Sequence, residues 1–343
     1  MKNISCIIYI LTITSLFFLL SCEDKKNNLY SISISPNNMI GTPAEVFSLQ
    51  QIKIFQAGNT LISNMIPEIS NDSSLKRFGI APTHLIYDLL GDSSLHDWQK
   101  SFLEKYNITE LTYEQRIKSK NSFLQTMKEM DSLVNVCSDI HSETDSTVTI
   151  SQKLDIKLMY QDSAPDDIDN IFTTADNKKP RLDFITVNDN MQILITDEEQ
   201  VASIKIGIEN YSLMLILPIN KSLKQYMSEF SEEKYLSFIN RLQERKVNVS
   251  FPLFSLEDTI HNIPLPQYEL SDTTINFPKQ LDIILSFNLT KATQADLNTH
   301  SKSDFDVLKS SNNETLKYAS PFLFFIRENN SNIILFSGFY GGE

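Results

Sequence analysis

The residues of this chain that could do chemistry are few and scattered. Five histidines, His84, His96, His141, His261 and His300, lie far apart in sequence and read as surface or satisfied structural side chains. Of three cysteines, Cys6 and Cys22 sit in the first 22 residues and Cys137 stands alone in an Asp- and Ser-rich stretch. No internal disulfide framework follows from that count. A thiol nucleophile would need a histidine and an orienting group, and no local pattern around Cys137 supplies them. The densest acidic run, Asp166-Asp167-Ile168-Asp169-Asn170, lacks the glycine and the bidentate glutamate of a calcium loop, so it reads as a solvated loop. There is no nucleophile elbow, phosphate loop, H-E-x-x-H or paired C-x-x-C. Trp98 and Phe102, four apart, read as core or helix-face residues. The expectation is a protein that is not an enzyme and needs no cofactor or metal.

The N-terminus reads as an address. A lysine precedes an apolar run through Ile7–Leu20, too short for a comfortable membrane span and laid out as an export signal. The run ends Leu19-Leu20-Ser21-Cys22, which resembles the lipobox of bacterial lipoproteins. That resemblance implies a signal peptide over 1–21, cleavage before Cys22 and lipidation of its thiol and new amino group. Stable anchoring in a membrane follows, since each buried methylene contributes about 0.8 kcal/mol. Residues 22–44 are the lipidated cysteine and a polar tether, and 45–343 the folded body. The location implied is exported, on the cell membrane or outer membrane of a bacterium.

Hydrophobic residues make up 41% of the 343 and charged residues 21%, enough for a real core. The net charge of -13 excludes a sequence-independent nucleic-acid binder, which needs a basic face. Helical spacing of Ile52, Phe55, Asn59, Ile62, Met65 and Ile66 predicts a helix over 46–67. A second helix opens after Pro82-Thr83 and closes at Gly91, and a third spans 113–135. Residues 138–180 are polar and carry no clear period. Strands follow at 201–208, 211–217 and 246–251. Pro321–Arg327 and Ile333–Phe339 form a hairpin across Glu328-Asn329-Asn330-Ser331-Asn332. Phe322 to Ile326 is apolar at every position, so it should be a central strand. Helices first and strands later make the fold class α+β.

Several of these segments resemble the serpins, in serial order. Tyr211-Ser212-Leu213-Met214-Leu215-Ile216-Leu217-Pro218 is similar to the family's strand ending in "ILP". Ser231-Glu232-Glu233-Lys234-Tyr235-Leu236 resembles its "LTPENL" turn, and Arg245–Phe254 its "KRKVEVSLPKF" strand. Ser320–Asn329 followed by Ile334-Leu335-Phe336-Ser337-Gly338 resembles the signature "RPFLFFIRDN…ILFMG". Upstream, Arg77–Ile86 is similar to "NVFISPLSI", with Ala81-Pro82 in place of Ser-Pro. The resemblance covers roughly 45–343. It implies a helical N-terminal half packed on large, mostly antiparallel β-sheets. It also implies inhibition of serine- or cysteine-type endopeptidases through an exposed reactive loop that inserts into the main sheet after cleavage.

The loop can be aligned in two registers. In the preferred one, Leu265–Tyr268, Leu281–Phe287 and Ala295–Leu297 match three short family blocks, and residues 298–321 must supply both a sheet strand and the loop. That span reaches at most roughly 75 Å extended, the strand takes about half of it, and what remains is too short for the loop to insert as a complete strand. Its reactive region would hold Thr299, His300, Ser301, Lys302, Ser303, Lys309, Ser310 and Ser311. In the other register Leu281–Leu289 is the strand before the loop and the loop runs from Thr290 to Tyr318. Its hinge, Thr290–Ala295, then carries Lys291 and Gln294, with Asp296 just beyond, where the family has small residues. The alternative function is therefore a serpin-fold surface lipoprotein that inhibits nothing and binds a protein or ligand partner.

Overall fold

The computed structural model describes residues 47–71, 76–91, 111–130, 134–143, 147–158, 170–206, 210–264, 280–291 and 314–342, with 100, 104 and 108. All of them belong to one unit, Ala44–Glu343. The signal peptide, Cys22, the tether, Trp98, Phe102 and the run Asp166–Asp169 lie outside the described residues.

Helix α1 (Leu49–Ser70) begins on a capping box, Ser48 accepting from the Gln51 N–H and Gln51 accepting from the Ser48 N–H. Its apolar stripe, Ile54, Leu61, Ile62 and Met65, is fully buried. The polar residue of that stripe, Asn59, has a specific task. Its Nδ2 donates to the Asn332 carbonyl at 3.0 Å and its Oδ1 accepts the Ile334 N–H at 2.9 Å. Helix α2 (Pro82–Leu89) is buried at every position. Helix α3 (Tyr113–Met130) aims Arg116 at the end of α2, where Nε and Nη1 donate to the carbonyls of Leu90 and Leu111. It ends at Met130 rather than 135, because Val134 already opens a strand. Helices α4 (Leu223–Ser228) and α5 (Glu232–Arg241) start on Ser222 and Ser231 caps.

Among the described residues, twelve strands form two sheets. The larger has eight strands in the order β1 (Arg77–Ile80), β12 (Ile334–Tyr340), β11 (Phe322–Glu328), β6 (Tyr211–Pro218), β5 (Glu199–Ile206), β4 (Phe184–Ile195), β7 (Gln243–Pro252) and β10 (Thr315–Lys317). As its composition requires, β11 is central, paired antiparallel to both β12 and β6. The β11–β12 turn is closed by Glu328, whose carboxylate accepts from the N–H groups of Asn330 and Ser331 and from both side chains. Gly338 must be glycine, since a Cβ there would lie 2.2 Å from the Phe78 carbonyl oxygen. The smaller sheet has the order β2 (Val134–Glu143), β3 (Thr147–Leu158), β9 (Gln280–Lys291) and β8 (Ser255–Pro264). The α+β class and the sheet-rich C-terminal half are as read from the sequence.

The two sheets meet on aromatic rings. Phe254, in the link from β7 to β8, lies 5.2 Å from Phe287 of β9, 5.1 Å from Phe324 of β11 and 4.8 Å from Tyr340 of β12 between ring centroids. Phe287 also stacks on Phe336 of β12 at 5.1 Å.

Candidate functional site

The site is a seam between two strands rather than a pocket. Strands β3 and β9 pair in parallel from Thr147↔Gln280 to Leu158↔Lys291. Their outer neighbours are antiparallel to them, β2 to β3 and β8 to β9. One more strand, running opposite to β3 and β9 between them, would make the sheet antiparallel throughout and replace a parallel ladder by the slightly stronger antiparallel one. The chain leaves β9 at Lys291, at one end of this seam, and returns at β10, which pairs with β7 in the other sheet. Residues 292–314 therefore start where such a strand would have to start.

Period two explains the strands that flank the seam. Ile150, Leu154, Ile156 and Leu158 of β3 and Ile283, Leu285, Phe287 and Leu289 of β9 are buried, and Ser151, Lys153, Asp155, Ile284 and Asn288 point to the other face. One inward position of β3 breaks the apolar rule. Gln152, 2% exposed, accepts the Ala81 N–H at 2.6 Å, donates to the Ala81 carbonyl at 3.1 Å and reaches Ser138 of β2 at 3.1 Å. Ala81 is the N-cap of α2 and has no capping side chain of its own. Gln152 thus caps α2 from a strand and ties it beneath the seam. Replacing Gln152 with leucine removes the partner of the buried Ala81 N–H, and a loss of about 1–3 kcal/mol is expected in denaturant unfolding. Wild-type stability in that variant would show that the contact carries nothing.

At the end where the chain leaves, Asn288 Nδ2 donates across the seam to Asp155 Oδ1 at 2.9 Å. Two residues on, Thr290 donates to the Ile156 carbonyl at 3.4 Å. Lys153 holds the other oxygen of Asp155 at 3.1 Å.

The geometry corrects the preferred loop register. Leu281–Phe287 lies inside the twelve-residue strand Gln280–Lys291, which fits the strand of the second register, Leu281–Leu289. Its loop, Thr290–Tyr318, is shortened at both ends, because Thr290 and Lys291 still pair with β3 and Thr315–Lys317 pairs with β7, and residues 292–313 lie outside the described residues. The length objection falls with it: a fully extended chain of that length would reach roughly 75 Å, against about 40 Å for the seam. The reactive-region residues Thr299, His300, Ser301, Lys302, Ser303, Lys309, Ser310 and Ser311 lie outside the described residues, as do His96 and His300.

His84, His261 and Cys137 lie on separate elements. His84 is buried in α2, its ring 5.3 Å from Phe123, and burial with Lys120 nearby holds its pKa down at about 3. His261 lies exposed on β8, its Nδ1 3.0 Å from Asp282. Cys137 is a free, exposed thiol on β2. Among the described residues no group of three His, Cys, Asp or Glu could hold a metal ion, and no helix is long and apolar enough to cross a membrane.

No protein-family model matches the sequence and no curated protein matches it. Solved structures do match the fold. Protease nexin-1, solved with heparin, superposes at a TM-score of 0.62 and 12% identity, over 85% of this chain and 100% of that one. Serpin-12 of Manduca sexta gives 0.58 and 12%, over 83% and 98%. Tengpin, a thermophilic serpin in its native state, gives 0.56 and 14%, over 84% and 94%.

Proposed function

Proceeding from the serpin fold, which this chain has, we propose that it is an inhibitor of endopeptidases of the serine or cysteine type, and not itself an enzyme. The observation that carries this reading is the parallel β3–β9 seam in an otherwise antiparallel sheet, with the chain leaving at one end of it. While residues 292–314 are intact, both their ends are tethered, at Lys291 in one sheet and Thr315 in the other. A peptidase that cuts between them frees the upstream arm. The arm then folds back antiparallel to β9, enters the seam and carries the acyl-linked peptidase with it. The gain comes from new ladder hydrogen bonds and buried alternate side chains.

On this proposal the lipobox at Cys22 tethers the body to a bacterial membrane and the segment 299–311 presents the bait. Incubation with a broad panel of serine and cysteine peptidases is expected to yield a denaturant-resistant adduct with at least one of them. Clean cleavage by all of them, with no adduct, contradicts inhibition.

One observation favours the second reading, a serpin-fold binder of a protein or ligand partner. The stretch that would enter first, Ala292-Thr293-Gln294-Ala295-Asp296, carries an amide and a carboxylate where a closed sheet accepts small side chains most readily, and it follows directly on Lys291. That reading predicts cleavage without adduct and without any gain in stability.

A further inference from the structure

We propose that Asp155 and Asn288 form a clasp that sets how readily the β3–β9 seam opens at the end from which a strand would enter. The proposal rests on the reading of the seam as an insertion site. It names the chain's own control over that site.

Position is the first argument. Asp155 and Asn288 are register partners on adjacent parallel strands, so their side chains leave the same face side by side. They lie three residues before the last pair of the seam, Leu158↔Lys291, beyond which the chain departs. A strand covalently continuous with β9 must enter at this end, so the clasp stands at the first pairs to be separated.

Chemistry is the second. The Asn288–Asp155 bond has a carboxylate acceptor, which makes it stronger than a neutral pair. Lys153, 57% exposed and on the same face of the same strand, holds the second carboxylate oxygen and fixes the rotamer that meets Asn288. Both members are half-buried, which limits competition from water. Further back along the seam the inward register pairs are apolar, Leu154↔Phe287 and Ile150↔Ile283, and the one polar inward side chain, Gln152, spends its hydrogen bonds on Ala81 and Ser138. On the outer face further back, Lys153 sits opposite Ser286, Ser151 opposite Ile284 and Thr149 opposite Asp282. The charge-assisted bond between Asn288 and Asp155 is placed at the end where opening begins.

The test is hydrogen exchange of the intact full chain, read at the amides of 155–158 and 288–291. Asn288→Asp sets two carboxylates against each other and is expected to speed exchange there about tenfold, a factor that reports the opening equilibrium. The double variant Asn288→Asp with Asp155→Asn restores a donor and an acceptor with roles exchanged, and is expected to return exchange to within about twofold of wild type. Asn288→Ala removes the donor without adding charge and is expected to give a smaller acceleration, which keeps the test decisive if Asn288→Asp does not fold. Exchange unchanged in the single variants, or not restored in the double variant, overturns the clasp. These readouts need no cleavage. A wild-type chain that gains no stability on loop cleavage, with the exchange pattern as expected, overturns the insertion reading and leaves the clasp as a fastening of the sheet alone.

Discussion

Lowering the pH from 6.5 towards 3 is expected to destabilise the folded body through His84, at a slope approaching about 1.4 kcal/mol per pH unit. Burial, and secondly the charge of Lys120, hold the folded His84 near a pKa of about 3, against 6.5 for the unfolded side chain. The folded state keeps the ring neutral while the unfolded state takes up a proton. The stabilisation is therefore complete above about pH 6.5 and is lost as pH falls towards 3. The cause is visible in the packing. His84 is 4% exposed, its Nδ1 meets no hydrogen-bond partner among the described residues, and its ring stands edge-on to Phe123. The charged groups nearby are Asp88, one turn further along α2, and Lys120 of α3, which bond each other at 2.7 Å. A proton on His84 would join a cation already present. Melting curves between pH 7 and 4 should show wild type falling by several degrees more than His84→Leu, which has nothing to titrate at that position. Parallel curves for the two proteins would mean that His84 is solvated when the chain is folded.

A second large loss is expected from Phe254→Ala. Removing a buried phenyl ring costs about 3–5 kcal/mol through lost burial and the cavity left behind. Here the ring also holds the two sheets together. Its neighbours Phe287, Phe322, Phe324 and Tyr340 come from β9, β11 and β12, all with centroids within 5.7 Å. Such ring pairs contribute roughly 0.5–1.5 kcal/mol each beyond their area. A drop in melting temperature on the order of 10 °C is expected. Phe254→Leu, which keeps most of the volume but no ring faces, should fall between the two. If alanine costs no more than leucine, the junction repacks and the rings are interchangeable filler.

What could be read from the sequence follows how plainly each segment wrote its environment. Strands buried on both faces, such as β6 and β11, are apolar at nearly every position and announce themselves. The hairpin turn after β11 is legible because a run of Asn and Ser separates two apolar strands, and in the fold Glu328 collects donors from Asn330 and Ser331. Strands β2 and β3 were hidden in the polar stretch 138–180 and behind the predicted end of α3. Half the side chains of β3 face outward and are charged or hydroxylic, and Gln152 occupies an inward position because its amide is needed by Ala81. That glutamine turns an alternating strand into an apparently patternless one. The loop register failed for a related reason. Asp282, Ser286, Asn288 and Thr290 alternate with Ile283, Leu285, Phe287 and Leu289, a half-exposed strand whose period two is interrupted by the outward Ile284. The Asp155–Asn288 pair was beyond reach, since nothing local links residues so far apart before β3 and β9 are known to be neighbours.

The central claim is that the β3–β9 seam accepts the chain's own segment as a strand. The most direct test is a melting curve of the protein before and after a single cut between 299 and 311. Insertion predicts that the cut protein melts far higher, by tens of degrees, because a parallel seam becomes an antiparallel sheet with one more buried strand. A cut protein that melts at or below the temperature of the intact one contradicts the claim, and the seam is then a closed feature of a serpin fold used for binding.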